Sequence, residues 1–328
     1  MVSANSNRNS ECFYQQKGQY SLLSLLDRSC NSTFFVADTR IRYDMMTSAV
    51  LKFSNGRYDD VSSTAICKWS NLVYRDRYLN RAGDGTIPFT YSGSSGPNSW
   101  GHLSPNFSLC GTGKSQSPIN ILTDKVVFNK NLKPLIRFYG SANVTLVNNK
   151  FNVGIRYPDH SGGIIVDDKA YALKQMHWHA PAEHRIDGKR HAAELHLVHV
   201  SEDGNVTVVA ILFEFGKPDP LVDKIQTKLN ELEYEVKIHE DLPITFGPFH
   251  STELRKKTHK YYRYVGSFST PPCTENVIWH ILGKVRTISR KQVEALRAPL
   301  DWSCKSNARP CQLLNGRHVE LYDEQSKT

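Results

Sequence analysis

The chain has 328 residues, of which 39% are hydrophobic, and it carries a formal net charge of +9 at pH 7. This length allows one large core or two modest ones, and ordinary β domains reach about 250 residues. The positive charge bears on solubility and non-specific attraction, so it does not assign an anionic partner. No stretch approaches the ~20 consecutive apolar residues of a transmembrane helix, so we expect no membrane insertion. Nothing in the sequence indicates an oligomeric state.

The first part of the chain differs from the rest. Residues 1–85 are rich in Ser, Asn and Arg and show neither the two-residue period of strands nor the 3.6-residue period of helices. We predict a weakly structured or atypical segment here, ending in the polar stretch from Arg81 to Gly85, and one domain over residues 86–328. No signal peptide is visible, because the most apolar short piece, Leu22 to Leu26, is too brief for one.

From Ile87 onward, short alternating runs separated by Asp-Gly, Asn-Gly and Pro signals predict a mainly β domain. Three of these runs contain the candidate site residues discussed below. They span residues 171–180, 191–200 and 206–215. Asp187-Gly188 separates the first two runs and Asp203-Gly204-Asn205 the last two, so an antiparallel meander is the simplest arrangement.

Two peripheral helices interrupt the β pattern. The first begins at Pro220, behind the cap Asp219, and its apolar residues fall near one face: Val222, Ile225, Leu229 and Leu232. The second begins at Ser289, which forms a capping box with Gln292 three residues later.

The densest basic run contains Arg255, Lys256, Lys257, His259, Lys260 and Arg263, interleaved with Tyr261, Tyr262 and Tyr264. Such a mixture can in principle stack nucleic-acid bases. No nucleic-acid motif accompanies it, so a solvated strand face is the favoured interpretation and no nucleic-acid partner is predicted.

A histidine-rich stretch predicts a metal site. In residues 175–179 the strand period places Gln175, His177 and His179 on one face. The next strand carries Glu194 and His196 on one of its faces, so His196 can face the first two histidines. Three imidazoles without a fourth protein ligand are typical of a catalytic zinc centre. Zinc-bound histidines usually donate their other N–H to an acceptor, and we assign Gln175 to His177 and Glu194 to His196.

Further motifs extend this pattern: Gly96-Pro97 with Trp100, Gln116-Ser-Pro-Ile119, Glu183-His184, Ala193-Glu-Leu-His-Leu-Val-His199 and Gly266-Ser-Phe-Ser-Thr-Pro-Pro272. Together with the three histidines, they make the region from about Phe89 to Tyr322 resemble the α-class carbonic anhydrases, especially their plant branch. The resemblance implies a large, twisted, mostly antiparallel sheet with peripheral helices. It also implies Zn²⁺ as the cofactor and a small-molecule substrate, carbon dioxide, which a zinc-bound hydroxide hydrates reversibly to bicarbonate and a proton.

The resemblance assigns roles to further residues. Ser269 takes a position where the family normally has threonine, and its hydroxyl would accept a hydrogen bond from the hydroxide and donate one to Glu183. Serine keeps both hydrogen bonds but loses a methyl group. The implied substrate site is lined by Val198, Val208, Phe268 and Trp279, with Thr270 and Tyr91 in its polar network. Val198, Val208 and Trp279 would equally suit the core of any β domain.

Proton export is where the sequence departs from the family. Fast members carry a histidine in the loop before the strand that begins Phe151-Asn-Val153. Here the segment from Val147 to Val153 has no histidine, and its loop is two residues shorter. Lys150 is a weak candidate, so the proton shuttle is left unassigned.

The cysteines bear on the compartment. Cys110 and Cys273 match the disulfide positions of secreted family members, and closing so long a loop would contribute about 4–5 kcal/mol on a chain-entropy model. Cys304 and Cys311 either form a second local bridge or remain free thiols. A glycosylating compartment would suit the four N-x-S/T acceptors, which lie at Asn31, Asn106, Asn143 and Asn205. We therefore expect secretion or an endomembrane lumen, with the chloroplast as the alternative.

The main alternative function is that of a storage or carbohydrate-binding protein on the same fold, like the dioscorins of yam tubers, with weak or no hydratase activity. The absent shuttle histidine and the serine at position 269 favour it. The complete set of histidines, their hydrogen-bond partners and the retained hydroxyl favour the enzyme, which we prefer because the chemistry of the site should decide function.

Overall fold

The computed structural model describes residues 13–16, 19–22, 89–238, 243–254 and 258–327. The chain divides into two units, Met1–Arg81 and Ala82–Thr328. In the first unit, strands β1 (Phe13–Gln16) and β2 (Gln19–Leu22) pair as an antiparallel hairpin. The rest of the segment predicted to be weakly structured, residues 1–85, lies outside the described residues.

The second unit is built on a 13-stranded sheet and a small three-stranded sheet. In chain order its strands are β3 (Asn120–Ile121), β4 (Val127–Phe128), β5 (Ile136–Arg137), β6 (Ser141–Asn148), β7 (Val153–Arg156), β8 (Gly163–Val166), β9 (Lys169–His179), β10 (Arg185–Ile186), β11 (Lys189–Arg190), β12 (Ala193–Val200), β13 (Val206–Phe215), β14 (Ile244–His250), β15 (Lys260–Ser267), β16 (Glu275–Leu282), β17 (Arg286–Ile288) and β18 (Glu320–Asp323). Strands β3, β10 and β11 form the small sheet. Most pairs in the large sheet are antiparallel, and the parallel pairs β13–β16, β13–β17 and β4–β18 make it mixed. The predicted mainly β class with a large, mostly antiparallel sheet is confirmed.

Strands β9, β12 and β13 lie side by side at the centre of the large sheet and run antiparallel, as predicted. All eight residues of β12 are buried. The connection differs from the prediction, because Asp187-Gly188 closes the separate hairpin β10–β11 instead of joining β9 to β12. Both turn residues have positive φ (48° and 75°), which suits a two-residue hairpin turn, and β10 then pairs with β3.

The described residues contain five α-helices: α1 (Trp100–Leu103), α2 (Leu109–Thr112), α3 (Pro220–Asp223), α4 (Gln226–Ile238) and α5 (Arg290–Arg297). The Asp219 side chain caps α3 at Pro220, as predicted. The single helix expected here is in fact two, because the Ile225 N–H donates to the Val222 carbonyl, three residues back instead of four. This tighter turn interrupts the α-helical hydrogen bonds between α3 and α4.

The start of α5 confirms the predicted capping box. The Ser289 side chain accepts the backbone N–H of Gln292, and the Gln292 side chain accepts the backbone N–H of Ser289. Gln292 also exchanges hydrogen bonds with the backbone of Asp219, so the starts of α3 and α5 are tied together. None of the described helices is both long and apolar enough to span a membrane.

The basic run is only partly a solvated strand face. Residues 255–257 lie outside the described residues. On β15, Lys260 pairs with Asp323 and Arg263 with Asp167, so these charges are compensated. The interleaved tyrosines are at most 6% exposed: Tyr261, Tyr262 and Tyr264. Their burial removes the rings from any surface on which bases could stack.

Cys110 and Cys273 form a disulfide across a sequence separation of 163 residues, the pairing implied by the family resemblance. The two cysteines form a small buried cluster with Trp100, apart from the main core. Cys304 and Cys311 are free thiols, so the second local bridge is not formed.

Candidate metal centre

The two-residue period of β9 places His177 and His179 on one face. Strand β12 pairs antiparallel with β9, and His196 lies directly opposite His177 in register. Strand pairing thus brings the three predicted histidines together, and one ligand atom from each lies within 4.8 Å of the others. His179 and His196 are buried and His177 is half-buried.

Two of these imidazoles make the hydrogen bonds expected from the sequence. His177 Nδ1 donates to Gln175 Oε1 (2.8 Å), and His196 Nε2 donates to Glu194 Oε1 (2.8 Å). Such bonds fix the tautomer and leave the other ring nitrogen with its lone pair. Those other nitrogens, His177 Nε2 and His196 Nδ1, lie 3.3 Å apart.

Asn307 holds the third imidazole and was missed by the sequence analysis. Its carbonyl oxygen accepts from His179 Nδ1 (2.6 Å), its side-chain oxygen accepts the N–H of Ala180 (2.8 Å), and its side-chain nitrogen donates to the carbonyl of Trp178 (3.1 Å). Asn307 therefore clamps the end of β9 from 128 residues further along the chain. No local pattern marks it, since only the fold brings the two segments together.

The three histidines fit a zinc ion. Burial lowers the pKa of His177 well below its ordinary value, and the neighbouring His179 and His196 lower it further. Burial also lowers the pKa of His179. These rings are therefore neutral near pH 7 and offer the lone pairs that a metal requires. His179 Nε2 is buried and has no hydrogen-bond partner among the described residues. Three imidazoles without a thiolate match the donor set of catalytic zinc.

Glu194 is the centre of a buried polar network. Its Oε1 accepts from His196 and from His184 Nδ1 (2.6 Å), while its Oε2 accepts the backbone N–H groups of Glu183 and His184 (2.8 Å each). Burial opposes ionisation of Glu194, but His184 and His196 outweigh it and hold the pKa of the carboxyl well below its ordinary value. The carboxylate is therefore charged and strengthens His196 as a ligand.

The network continues beyond His184. The Tyr264 hydroxyl lies 2.7 Å from His184 Nε2 and 2.7 Å from the Ser117 hydroxyl. A second set of possible metal ligands, His184 with Glu194 and His196, is explained by these bonds, because the carboxylate already sits between two ring donors. From the sequence, His184 was recognised only as part of a motif and Tyr264 only within the basic run, because the chain of bonds links four separate segments.

Glu183 is fully buried beside the histidines. Its Oε1 lies 3.6 Å from His179 Nδ1 and accepts the backbone N–H of Arg309 (2.9 Å). Its Oε2 has no hydrogen-bond partner among the described residues. Ser269, the donor implied for this carboxylate, is only 5% exposed but does not bond that oxygen. The role of Ser269 stays a prediction, with an open acceptor on Glu183 to receive its hydroxyl.

Three of the predicted pocket residues form one row across neighbouring strands, because Val198 pairs with Val208 and Val208 with Trp279. All three are at most 2% exposed. Val198 lies two residues from His196 and so shares its face, and the Trp279 ring centroid is 4.8 Å from that of His196. The structure therefore places this apolar row beside the histidines.

The other three predicted substrate residues, Phe268, Thr270 and Tyr91, are half-buried. Phe268 and Thr270 flank Ser269 in the turn after β15. The Tyr91 hydroxyl is itself buried and has no hydrogen-bond partner in the described part of the chain. Burial, reinforced by the Glu183 carboxylate, raises the pKa of Tyr91 well above its ordinary value. Tyr91 therefore stays a neutral hydroxyl.

The loop between β6 and β7 spans residues 149–152 and contains no histidine. Asn149 donates to Asn152 (2.8 Å), which keeps the loop tight, and Lys150 is exposed with a φ of 68°. His160 is exposed in the turn before β8.

Comparison with known proteins agrees with this geometry. The family model for the eukaryotic-type carbonic anhydrase matches residues 95–323. Alpha carbonic anhydrase 7 of Arabidopsis thaliana is 39% identical over 227 residues, which cover 69% of this chain and 81% of that protein. Dioscorin DB3S of Dioscorea polystachya is 36% identical over 233 residues, which cover 71% of this chain and 84% of that protein.

Solved structures show the same similarity. A crystal structure of dioscorin complexed with ascorbate has a TM-score of 0.69 and 34% identity, covering 72% of this chain and 98% of that one. The α-carbonic anhydrase of Thermovibrio ammonificans, in complex with the inhibitor sulfanilamide, has a TM-score of 0.63 and 34% identity, covering 72% of this chain and 100% of that one. With a family match over most of its length, this chain belongs to the eukaryotic-type carbonic anhydrase family and is similar to plant α-carbonic anhydrases and to dioscorins.

Proposed function

We propose that this protein binds one zinc ion and catalyses the reversible hydration of carbon dioxide to bicarbonate and a proton. The observation that carries the proposal is the set of three ring nitrogens from His177, His179 and His196 within 4.8 Å of one another. Membership of the family supports the same activity. When bound there, zinc supplies a hydroxide nucleophile at neutral pH by lowering the pKa of water.

The protein's own residues would orient the reactants and exclude water. Val198, Val208 and Trp279 provide an apolar wall next to the histidines, which suits an uncharged substrate and keeps bulk water away. The Ser269 hydroxyl donates to the open oxygen of Glu183 in this proposal. Its own oxygen is then left to accept a hydrogen bond from the nucleophile and so fixes the nucleophile's orientation.

Metal analysis of the purified protein, paired with a carbon dioxide hydration assay, tests the proposal. We expect one zinc per chain and a hydration activity that is lost on chelation and restored by zinc. The similarity to dioscorins favours one competing function, a storage or carbohydrate-binding protein. Protein that contains zinc but does not hydrate carbon dioxide, or that does not retain zinc, would favour this alternative.

Replacing Glu194 by glutamine should weaken zinc binding about 10- to 100-fold, because the carboxylate that orients His196 loses its charge. Competition with a chromogenic chelator measures the affinity. The matched control is Glu202→Gln, which neutralises an exposed carboxylate in the turn after β12. Equal zinc affinities in the two variants would remove Glu194 from the metal centre.

We also propose that the folded chain resides in an oxidising compartment, either outside the cell or in the endomembrane lumen. The disulfide between Cys110 and Cys273 supports this location, since such bonds are rare in reducing compartments. Three of the predicted glycan acceptors are exposed in the folded domain: Asn106, Asn143 and Asn205.

In protein isolated from its natural source, Cys110 and Cys273 should resist alkylation until a reductant is added. Mass spectrometry of peptides from protein unfolded without reductant measures this. Cys311, a free thiol, is the internal control and should be alkylated under both conditions. Alkylation of all three without reductant would instead favour the chloroplast or another reducing location.

A further inference from the structure

Two arginines face each other on the hairpin β10–β11. Arg185 lies directly opposite Arg190 in the register of this antiparallel pair. Residues in such positions project from the same face of the sheet, with Cβ atoms about 5 Å apart. Like charges placed opposite each other are destabilising. The hairpin therefore carries two neighbouring positive charges, and their repulsion is relieved only by nearby negative charge.

Both guanidinium groups have very few hydrogen-bond partners. Within the described part of the chain, neither arginine forms an ion pair, and the side-chain bond present is a long one from Arg185 to the Gly188 carbonyl (3.4 Å). Arg190 is half-buried, and its Nε is buried without any partner among the described residues. Each guanidinium offers five N–H donors. Leaving a donor of a charged group buried and unpaired is costly, so this arrangement points to a ligand.

Two carboxylates near the pair offset its charge only in part, because within the described part of the chain neither forms an ion pair with Arg185 or Arg190. Asp187, in the hairpin turn, accepts from the backbone N–H and the hydroxyl of Thr123 (2.8 and 2.7 Å). Glu214, on β13, lies 3.8 Å from Lys189 Nζ. Lys189 adds a third positive charge to the hairpin and offsets that carboxylate.

The Cys311 thiol lies within the electrostatic influence of the pair but adds no negative charge. Burial raises the pKa of this thiol, against smaller opposing effects of Arg190 and Arg185, so it stays protonated. The buried carboxylates of Glu183 and Glu194 also act on this thiol, but both contact histidines of the metal centre.

We propose that Arg185 and Arg190 form a binding site for a dianionic oxyanion, either inorganic phosphate or the phosphate group of a larger molecule. Two planar guanidinium groups match the oxygens of a phosphate in bidentate geometry. A dianion balances the two charges, relieves their repulsion and satisfies the buried donor of Arg190. The site lies on the small sheet and needs none of the three histidines.

The test is isothermal titration calorimetry of the purified full-length protein with inorganic phosphate at constant ionic strength. We expect saturable binding of one phosphate per chain and a loss of affinity of at least about tenfold in Arg190→Gln and in Arg185→Gln, since each removes one bidentate partner. Lys284→Gln is the control, because it removes one exposed positive charge elsewhere and should bind like the unmodified protein. Competition by glycerol 2-phosphate indicates room for an esterified ligand, and its absence indicates the free ion.

Thermal unfolding gives a second test, because the midpoint temperature should respond both to the loss of Arg185 and to added phosphate. Without phosphate, Arg185→Gln should unfold at a higher temperature than the unmodified protein, because the like-charge repulsion is removed. The same phosphate concentration should then raise the midpoint of the unmodified protein by more than that of the variant. Equal phosphate affinity in both arginine variants and the unmodified protein would overturn the proposal, as would binding of acetate as tight as that of phosphate.

Discussion

Replacing His196 by alanine should abolish carbon dioxide hydration and remove most of the bound zinc. His196 supplies one of three ligand nitrogens and lies 3.3 Å from the ligand nitrogen of His177. A zinc site with three protein ligands binds the metal much more weakly when one of them is removed. The change also leaves the buried Glu194 carboxylate without one of its donors, so we expect a loss of stability of about 1–3 kcal/mol. Elemental analysis measures the zinc, and stopped-flow hydration measures the activity.

The matched control for this experiment is His199→Gln. His199 lies on the same strand as His196 and is equally buried, but it bonds the Tyr139 hydroxyl (3.0 Å) and does not belong to the cluster of three. This variant should keep its zinc and its activity, and circular dichroism should show that both variants are folded. Full zinc content and activity in His196→Ala would contradict the assignment of the metal centre.

The maximal hydration rate should rise by at least about tenfold when imidazole is added near neutral pH, because a positioned acid–base group usually contributes ~10²–10⁴-fold and the loop at residues 149–152 supplies none. An ammonium group such as that of Lys150 has no lone pair with which to accept a proton. The rate constant at low substrate should hardly change, since it reports the attack on carbon dioxide and not the later proton export. A buffer titration under multiple-turnover conditions measures the maximal rate and the rate constant at low substrate separately.

A histidine introduced at the loop should replace part of the added buffer. Lys150→His is suitable because the position is exposed and has a φ of 68°, and histidine is among the residues that adopt positive φ more readily than most. Lys130→His, at another exposed lysine, is the control and should leave the dependence on imidazole unchanged. A high turnover in dilute buffer that does not respond to imidazole would show that another group, such as His160 or an ordered chain of waters, carries the proton.

The sequence by itself determined those features that depend on local geometry. The two-residue period of a strand places Gln175, His177 and His179 on one face, and the same period places Glu194 beside His196, so both predicted hydrogen bonds are present. The capping box at the start of α5 is equally local. Side-chain direction and capping within one element depend on neighbours a few residues away, which is why these predictions succeeded.

Only the tertiary structure decided which distant segments meet. Asn307 bonds His179 across 128 residues of sequence, and Tyr264 bonds His184 across 80. The Asp187-Gly188 turn was correctly recognised but assigned to the wrong pair of strands, because its backbone conformation specifies a hairpin and not which larger sheet that hairpin joins. Such contacts follow from the order of strands in the sheets, which is set by burial over the whole domain and leaves no periodic signal in the sequence.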